Sequence, residues 1–596
     1  MSEDDEAPPT AAAALAENQA DSRAAEFSER VQNNADQERA NLVAKLKRES
    51  GEGGENAVAG GVLEGFAGPR TLSELFKWVK SVDPEGTQSH RAQLDAAKRW
   101  GRVRSTPNTM QHEVLETSTD SVPIGNTILS VANAADAAQL LRANPPKHPF
   151  YSIFGGGVFV ECDPVEWKRQ RDRLRPAFSM KQLASLVPLM LRELRHTEAR
   201  FAADPRGEIT TARQKMAQLT MSIICQASCG MGEAEMRRRA PAISDAITAL
   251  SEDNFAAMRT RSLARALRHD AEKRREFTER QAAAGEVVGT FMADVVAGME
   301  HLHQQGNHAA PGAGGDAGGN AGSSCPFAAD PKSLCGVLWG AAARNASPGA
   351  SGGGSATATA SEPEWDGDSA LDNFGIVLFA GHITTANSLT FMLYELARAP
   401  QLQERARAAV DQWYEQLRQR LEQDQARAGL GGDEALERFV TMRSLKQLPL
   451  INGIVLETLR KWPPVANGTL RVLDADTVIA GRRVPRGTPV ATPIYALHHD
   501  PEVWPDPDTF DPTRKGLRLG NKHFMPFLQG PRNCLGMNVA LLEMRLAAVR
   551  FLRRFKLSLD PQDFEAAGTN LITLGPDDGL PLVAVPREGM TVGSKL

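Results

Sequence analysis

Helical periodicity dominates the hydrophobic pattern of the chain from Pro164 onward. Between Pro164 and about His303, apolar residues recur at the spacing of successive amphipathic helices. The pattern returns in "ALDNFGIVLFAGHITTANSLTFMLYELARAP", continues to Trp462, and predicts a last helix over about Met537 to Arg554. Short β-like runs with Gly and Pro turn signals lie in "DTVIAGRRVPRGTPVAT" and after the last helix. The pattern predicts a mainly α protein with minor β.

The helical pattern is interrupted by stretches with few large apolar residues. Residues 1–60 are rich in Ala, Glu, Asn and Gly, a composition that buries too little surface to offset its ordering entropy, and they predict a mobile arm. Gly/Ala/Ser-rich segments near 304–330 and 344–365 predict two flexible insertions. The remainder of 61–590 is predicted to be a single domain.

Composition and charge exclude several classes of protein. The 596 residues carry a net charge of -5, which gives no indication of nucleic-acid binding. The acidic N-terminus lacks the features of a signal peptide. No stretch reaches about 18 uninterrupted apolar residues, so we expect a soluble, cytoplasmic protein without a membrane span. Six cysteines without CxxC spacing indicate reduced thiols, and Cys225 and Cys229 are expected to pack in the core.

Cys534 is the cysteine with the most informative surroundings, in "FMPFLQGPRNCLGMNVALLEM". It precedes a predicted helix, whose N-terminal N–H groups stabilise a thiolate and are expected to lower its pKa. Phe527 is placed to shield the sulfur, and Arg532 offers a fork for a carboxylate. A nucleophile would need a base, and His523 is the only local histidine. A metal ligand needs only the thiolate, and a buried structural cysteine is the remaining alternative.

The stretch "FLQGPRNCLG" resembles the haem-binding signature of cytochromes P450, F-x-x-G-x-R-x-C-x-G. The fixed positions are Phe527, Gly530, Arg532, Cys534 and Gly536, and Glu543 lies where the family usually has an acid. The resemblance implies the cytochrome P450 fold, a large helical domain with a small β-rich region. It also implies haem b, ligated by the Cys534 thiolate and sandwiched between the Cys534 helix and the long helix that contains Thr384.

Two further groups of residues extend the resemblance. "ETLR" supplies an E-x-x-R pair whose members share one helix face. The implied groups are a structural cluster of Glu457, Arg460 and Arg514, and a set that holds the haem and its propionates, Trp167, Arg171, Arg471 and Arg532. Lys515 departs from the phenylalanine that usually follows the third member of the cluster. Since haem carries two carboxylates, a buried site needs cationic partners.

The segment "AGHITTA" resembles the oxygen-activating part of the family's long helix. The matching residues, implied to be catalytic, are Ala380, Gly381, Thr384 and Thr385. The small Ala380–Gly381 pair would let the helix pass close to bound oxygen, and Thr384 would donate a hydrogen bond to it. Ile383 replaces the family's acid, and His382 is expected to face away.

The resemblance implies a monooxygenase that inserts one oxygen atom from dioxygen into an apolar small molecule. No flavin or iron–sulfur signature is present, so we expect electrons from a separate ferredoxin-type, flavodoxin-type or reductase partner. That partner would bind a basic face that includes Lys461, Lys522 and His523. Two alternatives stay open: a haem-thiolate peroxygenase or isomerase, which Ile383 favours, and a non-catalytic haem sensor, against which Thr384 argues.

Overall fold

A computed structural model of the protein describes most of the chain from residue 81 onward. The described residues are 81–82, 88–100, 102–107, 127–148, 151, 156–229, 231–253, 269–306, 334–339, 367–425, 436–570, 572–576 and 579–588, with isolated helical positions between 256 and 267. The predicted arm 1–60 and the predicted insertion 344–365 lie outside these residues. The predicted insertion 304–330 also lies outside them, except for its first three residues.

Helices make up most of the described structure. They are α1 (Ser89–Trp100), α2 (Ala134–Ala143), α3 (Pro164–Leu174), α4 (Met180–Ala203), α5 (Ala212–Cys229), α6 (Glu233–Thr248), α7 (Ala271–Gly306), α8 (Leu334–Trp339), α9 (Gly367–Arg398), α10 (Pro400–Gln425), α11 (Met442–Leu445), α12 (Pro449–Lys461), α13 (Ile494–His498) and α14 (Met537–Arg554). A 3-10 turn, Arg175–Phe178, follows α3, and a π-helical turn, Ala249–Asp253, follows α6. The prediction of a mainly α protein is confirmed.

The strands of the described residues form four small sheets. They are β1 (Val103–Pro107), β2 (Thr127–Val131), β3 (Leu470–Val472), β4 (Thr477–Ile479), β5 (Arg482–Val484), β6 (Pro489–Ala491), β7 (Phe555–Leu559), β8 (Thr569–Asn570), β9 (Leu574–Gly575) and β10 (Leu582–Pro586). The largest sheet has the order β1-β2-β6-β3, and the other pairs are β10-β7, β4-β5 and β8-β9. In the four-stranded sheet only the β2–β6 pair is parallel, with Leu129 opposite Val490.

The β-like run of the sequence forms a hairpin. β4 and β5 pair antiparallel with Ile479 opposite Arg482. Ala480 and Gly481, which connect them, both have positive φ (49° and 73°), as a two-residue hairpin turn requires. The minor β content predicted from this segment is therefore confirmed.

Helix α9 is the central element of the core. It packs against α5, α14, α12 and β7. Every residue from Thr385 to Ala397 on α9 and from Gln218 to Cys229 on α5 is buried. A helix that is buried on all sides carries apolar residues on every face, and the sequence of α9 shows this pattern. Cys225 and Cys229 lie within this packing as predicted, with Cys229 Sγ 2.9 Å from the Cys225 carbonyl oxygen.

Candidate functional site

The Cys534 loop, residues 527–536, is shaped by backbone contacts before α14 begins. The Cys534 N–H donates to the Phe527 carbonyl oxygen at 2.9 Å, which closes the loop around the cysteine. Gly530 has a φ of 77°, and a Cβ at this position would lie 2.2 Å from the Leu141 carbonyl oxygen. A side chain is therefore excluded there by both backbone strain and the close approach of α2. This packing leaves the Cys534 side chain exposed at the N-terminus of α14.

The electrostatics of Cys534 differ from the sequence prediction. The N–H groups of Gly536 and Met537 and the charge of Arg171 each lower the pKa of the thiol, as a helix N-terminus should. Desolvation by the surrounding protein is the larger effect, and it raises the pKa of the free thiol. The Cys534 side chain is exposed at the surface of the loop, and the neighbouring protein still raises the pKa of its thiol through desolvation. The prediction of a lowered pKa is wrong for the free thiol.

Three arginines from distant segments gather beside the Cys534 loop. Arg532 stacks over the Trp167 ring at 4.3 Å, and Arg171 lies 5.9 Å from the same ring. Arg171 Nη2 donates to Asn533 Oδ1 at 2.6 Å. Arg471 is only 2% exposed, and Arg532 is 7% exposed. The charge of Arg471 lowers the pKa of Arg532, so Arg471 also lies nearby, and the four residues predicted to hold the haem and its propionates lie together.

Two of these arginines, Arg471 and Arg532, have no carboxylate hydrogen-bonded to them among the described residues. Desolvation lowers the pKa of both Arg471 and Arg532 to about 10. Arg471 Nε and Arg532 Nη2 are buried and have no hydrogen-bond partner in the part of the chain that is described. A buried cation that is not neutralised is strongly unfavourable. The residues therefore fit a group that carries carboxylates, as haem does.

The matching residues of α9 differ in their burial and in what they contact. Ala380 and Thr384 are half-buried and one turn apart, and Thr384 Oγ1 donates to the Ala380 carbonyl oxygen at 2.8 Å. A Cβ on Gly381 would lie 3.3 Å from the side chain of Ile224, so its close approach is to α5. Thr385 is buried, with 4% exposure. Of the four predicted catalytic residues, Ala380 and Thr384 share one face.

His382 and Ile383 are both buried in the protein interior. His382 Nε2 lies 3.0 Å from Ser244 Oγ of α6, on the side of α9 opposite to Thr384. Desolvation, aided by the charge of Arg213, lowers the pKa of His382 to about 3. The imidazole is therefore neutral and faces away from Thr384. Ile383 is 3% exposed and supplies no ionisable group.

Glu457, Arg460 and Arg514 meet in a buried ion cluster. Arg460 binds both Glu457 carboxylate oxygens at 2.8 Å, and both side chains are fully buried. Arg514 Nε donates to Glu457 Oε1 at 3.0 Å, and the Asp511 N–H donates to the same oxygen at 3.0 Å. The cluster ties α12 to the segment that leads into the Cys534 loop. Lys515, the residue that departs from the usual pattern, follows Arg514 directly.

Known proteins resemble this chain in sequence. The family model described as Cytochrome P450 matches residues 359–576. Cytochrome P450 4A24 of Sus scrofa is 36% identical over 186 residues, which cover 31% of this chain and 33% of the relative. Cytochrome P450 4F5 of Rattus norvegicus is 36% identical over 208 residues, which cover 34% of this chain and 36% of the relative. The chain thus matches about a third of the length of these curated relatives.

The fold extends the resemblance over most of the chain. The crystal structure of the cytochrome P450DA heme domain superposes with a TM-score of 0.60, covering 87% of this chain and 97% of that chain at 20% identity. At this identity the similarity shows the fold. Residues 359–576 belong to the cytochrome P450 superfamily, and the described chain has the cytochrome P450 fold. As in a cytochrome P450, the Cys534 loop lies before one helix, α14, that packs against the long central helix α9.

The prediction of a soluble, cytoplasmic cytochrome P450 is contradicted. The curated relatives that it matches are microsomal, membrane-anchored cytochromes P450. Among the described residues, Ala370–Arg398 of α9 has the length and mean hydropathy (1.4) of a membrane span, and 72% of its most apolar window is buried within the protein. A buried core helix has the same length and hydropathy, and α9 is the central helix of the core.

The predicted basic face of this cytochrome P450 does not include Lys461, which is buried. Lys461 is 7% exposed, and its Nζ lies 2.9 Å from Glu395 Oε1. It is therefore unable to contact a docking partner. Lys522 is exposed, and His523 is half-buried with its pKa lowered by burial and by the charge of Lys522. Only Lys522 and His523 of the three predicted residues lie at the surface.

Sequence reasoning missed one residue beside the arginines of this cytochrome P450. Lys147 is 7% exposed and lies opposite Arg471 in an antiparallel β-bridge. No motif marks it in the sequence. The only signal was a lysine in "ANPPKHPFYS", just ahead of the glycine-broken loop that leads to α3.

Proposed function

We propose that the protein is a haem-thiolate monooxygenase that inserts one oxygen atom from dioxygen into an apolar small molecule. The observation that carries the proposal is the grouping of an exposed thiol, Cys534, with buried guanidinium groups that have unpartnered nitrogens, in Arg471 and Arg532. The family-model match to Cytochrome P450 and the fold similarity support the same activity. Electrons are proposed to come from a separate redox partner.

The cofactor proposed is haem b. Cys534 Sγ would bind the iron, and Arg171, Arg471 and Arg532 would bind the carboxylates. Thiolate-ligated haem supplies the chemistry of dioxygen activation, because thiolate donation favours O–O cleavage. Phe527, Gly530 and Gly536 shape the backbone around the sulfur.

The protein's own groups fix the thiol and manage the proton. The hydrogen bond from the Cys534 N–H to the Phe527 carbonyl oxygen orients the sulfur, and the N–H groups of Gly536 and Met537 stabilise negative charge on it. Thr384 Oγ1 holds its proton against the Ala380 carbonyl oxygen, from which it can turn to a substrate-side acceptor. Ile383 carries no proton, so the supply to Thr384 runs through water or another residue.

The buried side chain of Ile383 also supports a second candidate function. A peroxygenase or isomerase needs no proton relay for dioxygen activation, so an isoleucine in place of the acid costs it nothing. Turnover with a reductase and dioxygen supports the monooxygenase. Turnover with hydrogen peroxide alone, and none with a reductase, supports the second candidate.

The Cys534 assignment is tested by the spectrum of the reduced, carbon monoxide-bound protein. The wild-type protein should show the strongly red-shifted Soret band of thiolate ligation, and Cys534→Ser should lose it. Cys229→Ser is the matched control, because Cys229 is buried on α5 and bonded to the Cys225 carbonyl oxygen. Retention of the band in Cys534→Ser would refute the proposed ligand.

A further inference from the structure

We propose that Lys147 is a fourth cation of the carboxylate-binding cluster and binds a haem propionate together with Arg471 and Arg532. The inference rests on the proposed haem cofactor, and it adds a binding residue that the signature motifs do not contain. It follows from the backbone pairing of Lys147, from the burial of its side chain and from the charges around it.

The backbone places Lys147 directly beside Arg471. The two residues form an antiparallel β-bridge, flanked by hydrogen bonds from the Val472 N–H to the Pro146 carbonyl oxygen (3.0 Å) and from the His148 N–H to the Leu470 carbonyl oxygen (3.3 Å). Residues directly opposite each other in such a pair project their side chains to the same side. Like charges at opposed positions are destabilising unless an anion lies between them.

Arg532 forms hydrogen bonds with two segments of the chain, the one that contains Lys147 and the one that its side chain contacts. Arg532 Nε donates to Asn144 Oδ1 at 3.2 Å, and Arg532 Nη1 donates to the Glu161 carbonyl oxygen at 2.7 Å. Lys147 Nζ donates to the carbonyl oxygen of Phe159, two residues before Glu161. Lys147 and Arg532 therefore meet between the same two stretches of chain.

The side chain of Lys147 is desolvated and faces positive charge. Its Nζ lies 3.6 Å from the Phe159 ring centroid and 4.5 Å from that of Tyr151. Burial, and then the charges of Arg471 and Arg532, lower its pKa well below the ordinary value, against a smaller opposing effect of Cys162. The acidic groups near the three cations are the Cys162 thiol, the Tyr151 phenol and the Glu161 carboxyl group, and each raises the pKa of a cation by less than desolvation lowers it. A propionate between Lys147 and Arg471 supplies the missing negative charge.

The test measures haem retention with and without the carboxylates. Lys147→Met and Lys147→Arg are compared with Lys168→Met, a control at an exposed lysine of α3 paired with Asp172. A hydrogen bond to a charged group corresponds to about tenfold to a hundredfold in an equilibrium constant. Lys147→Met should therefore release haem to apomyoglobin about tenfold to a hundredfold faster than wild type, whereas Lys147→Arg and Lys168→Met should stay near wild type.

Haem dimethyl ester separates charge binding from packing, because it has the same ring without free carboxylates. With the ester, Lys147→Met and wild type should lose the cofactor at the same rate. An equal acceleration with both cofactors, or none with natural haem, would overturn the role of Lys147. If Lys147→Met yields too little folded protein, Lys147→Gln provides the same comparison.

In the apoprotein, Lys147→Met should have the opposite effect to its effect on haem binding, and the melting temperature measures it. Removing a buried cation that faces two arginines should leave its melting temperature unchanged or raise it, while holo-protein loses haem faster. A fall in apoprotein melting temperature that accounts for the faster haem loss would show a packing role and contradict the proposal. If the wild-type protein binds no haem, both the proposed function and the propionate-binding role of Lys147 are contradicted. If it binds haem and Lys147→Met retains haem equally, only the role of Lys147 fails.

Discussion

The guanidinium of Arg532 lies 4.3 Å from the ring centroid of Trp167, which joins the Cys534 loop to helix α3. Trp167 is 6% exposed, so the contact is desolvated. Arg171, one turn further along α3, approaches the same ring and also reaches Asn533 of the loop. The indole thus orients two of the cations on which cofactor binding is proposed to depend. Desolvated cation–π contacts contribute about 2 kcal/mol or more.

Replacing Trp167 by leucine should weaken haem binding. The substitution removes the π face under Arg532 and should cost about 2 kcal/mol of binding free energy. Trp167→Phe keeps a smaller face and should fall between leucine and wild type. Haem transfer to apomyoglobin measures the effect, and equal rates for the leucine and phenylalanine variants would show that Trp167 acts only by filling space.

Removing the carboxylate of Glu457 should destabilise the whole protein. Glu457→Ala leaves Arg460 and Arg514 buried without their anion, which costs about 3–5 kcal/mol. Urea unfolding measures this loss. Glu415→Ala is the matched control, because it removes the acid of another i,i+3 pair, with Arg418, on the exposed surface of α10. We expect the control to unfold as wild type does, and a similar loss in both variants would contradict the special role of the buried cluster.

Glu543 should make the stability of the protein depend on pH. Burial raises the pKa of this carboxyl to about 8 from 4.5. Between these pH values the folded chain keeps a proton that the unfolded chain releases, so the free energy of unfolding falls by about 1.4 kcal/mol per pH unit as pH rises. The contribution of Glu543 is fully present below about pH 4.5 and is lost as pH rises through about 8.

The variant Glu543→Gln tests this dependence. Glutamine stays neutral, so the variant should match wild type near pH 5 and be the more stable of the two near pH 8. Urea unfolding at several pH values checks the difference between the two proteins. Parallel curves across the range would mean that Glu543 is ionised in the folded state.

The proton supply at Thr384 is tested by the coupling of electron consumption to product. Thr384→Ala should raise hydrogen peroxide release, because the hydroxyl that now bonds the Ala380 carbonyl oxygen is lost. Ile383→Glu should raise coupling if proton supply limits turnover, since general acid–base steps contribute about 10²–10⁴-fold. Ile383→Gln is the control of similar size that does not ionise. If neither Thr384→Ala nor Ile383→Glu changes the coupling of electron consumption to product, the peroxygenase or isomerase function is favoured.

The sequence predicted the parts of the fold and site that short motifs encode. The spacing of Glu457 and Arg460 on one helix turn, and the glycines around Cys534, are local properties, and the structure shows their expected geometry. The apolar pattern around Thr384 likewise predicted a helix, and α9 spans it. Gly381 shows the limit of this reasoning, because it was expected to approach bound oxygen, whereas a Cβ there would lie 3.3 Å from the side chain of Ile224 on α5.

Burial of single charged residues was not predictable from the sequence. Lys461 reads as a surface lysine, yet it pairs with Glu395 of another helix and packs beside Trp462. Lys147 is buried because a β-bridge to Arg471 places it there, and such pairing joins segments far apart in the chain. The raised pKa of the Cys534 thiol has the same origin, since desolvation depends on every segment packed around it.

The contact of Gly530 with the Leu141 carbonyl oxygen also constrains how the protein is made. The Cys534 loop closes against α2, while the cations beside it come from residues near 147, 171, 471 and 532. Contacts between segments so distant in the chain are slow to form, because a long loop must close first. During synthesis, the segments near residues 147 and 171 remain without these partners until residues 530–536 have left the ribosome. Binding of the cofactor therefore follows the synthesis of residues 530–536. Chains that stop before Gly530 leave apolar surface uncovered, where chaperones and proteases can bind it.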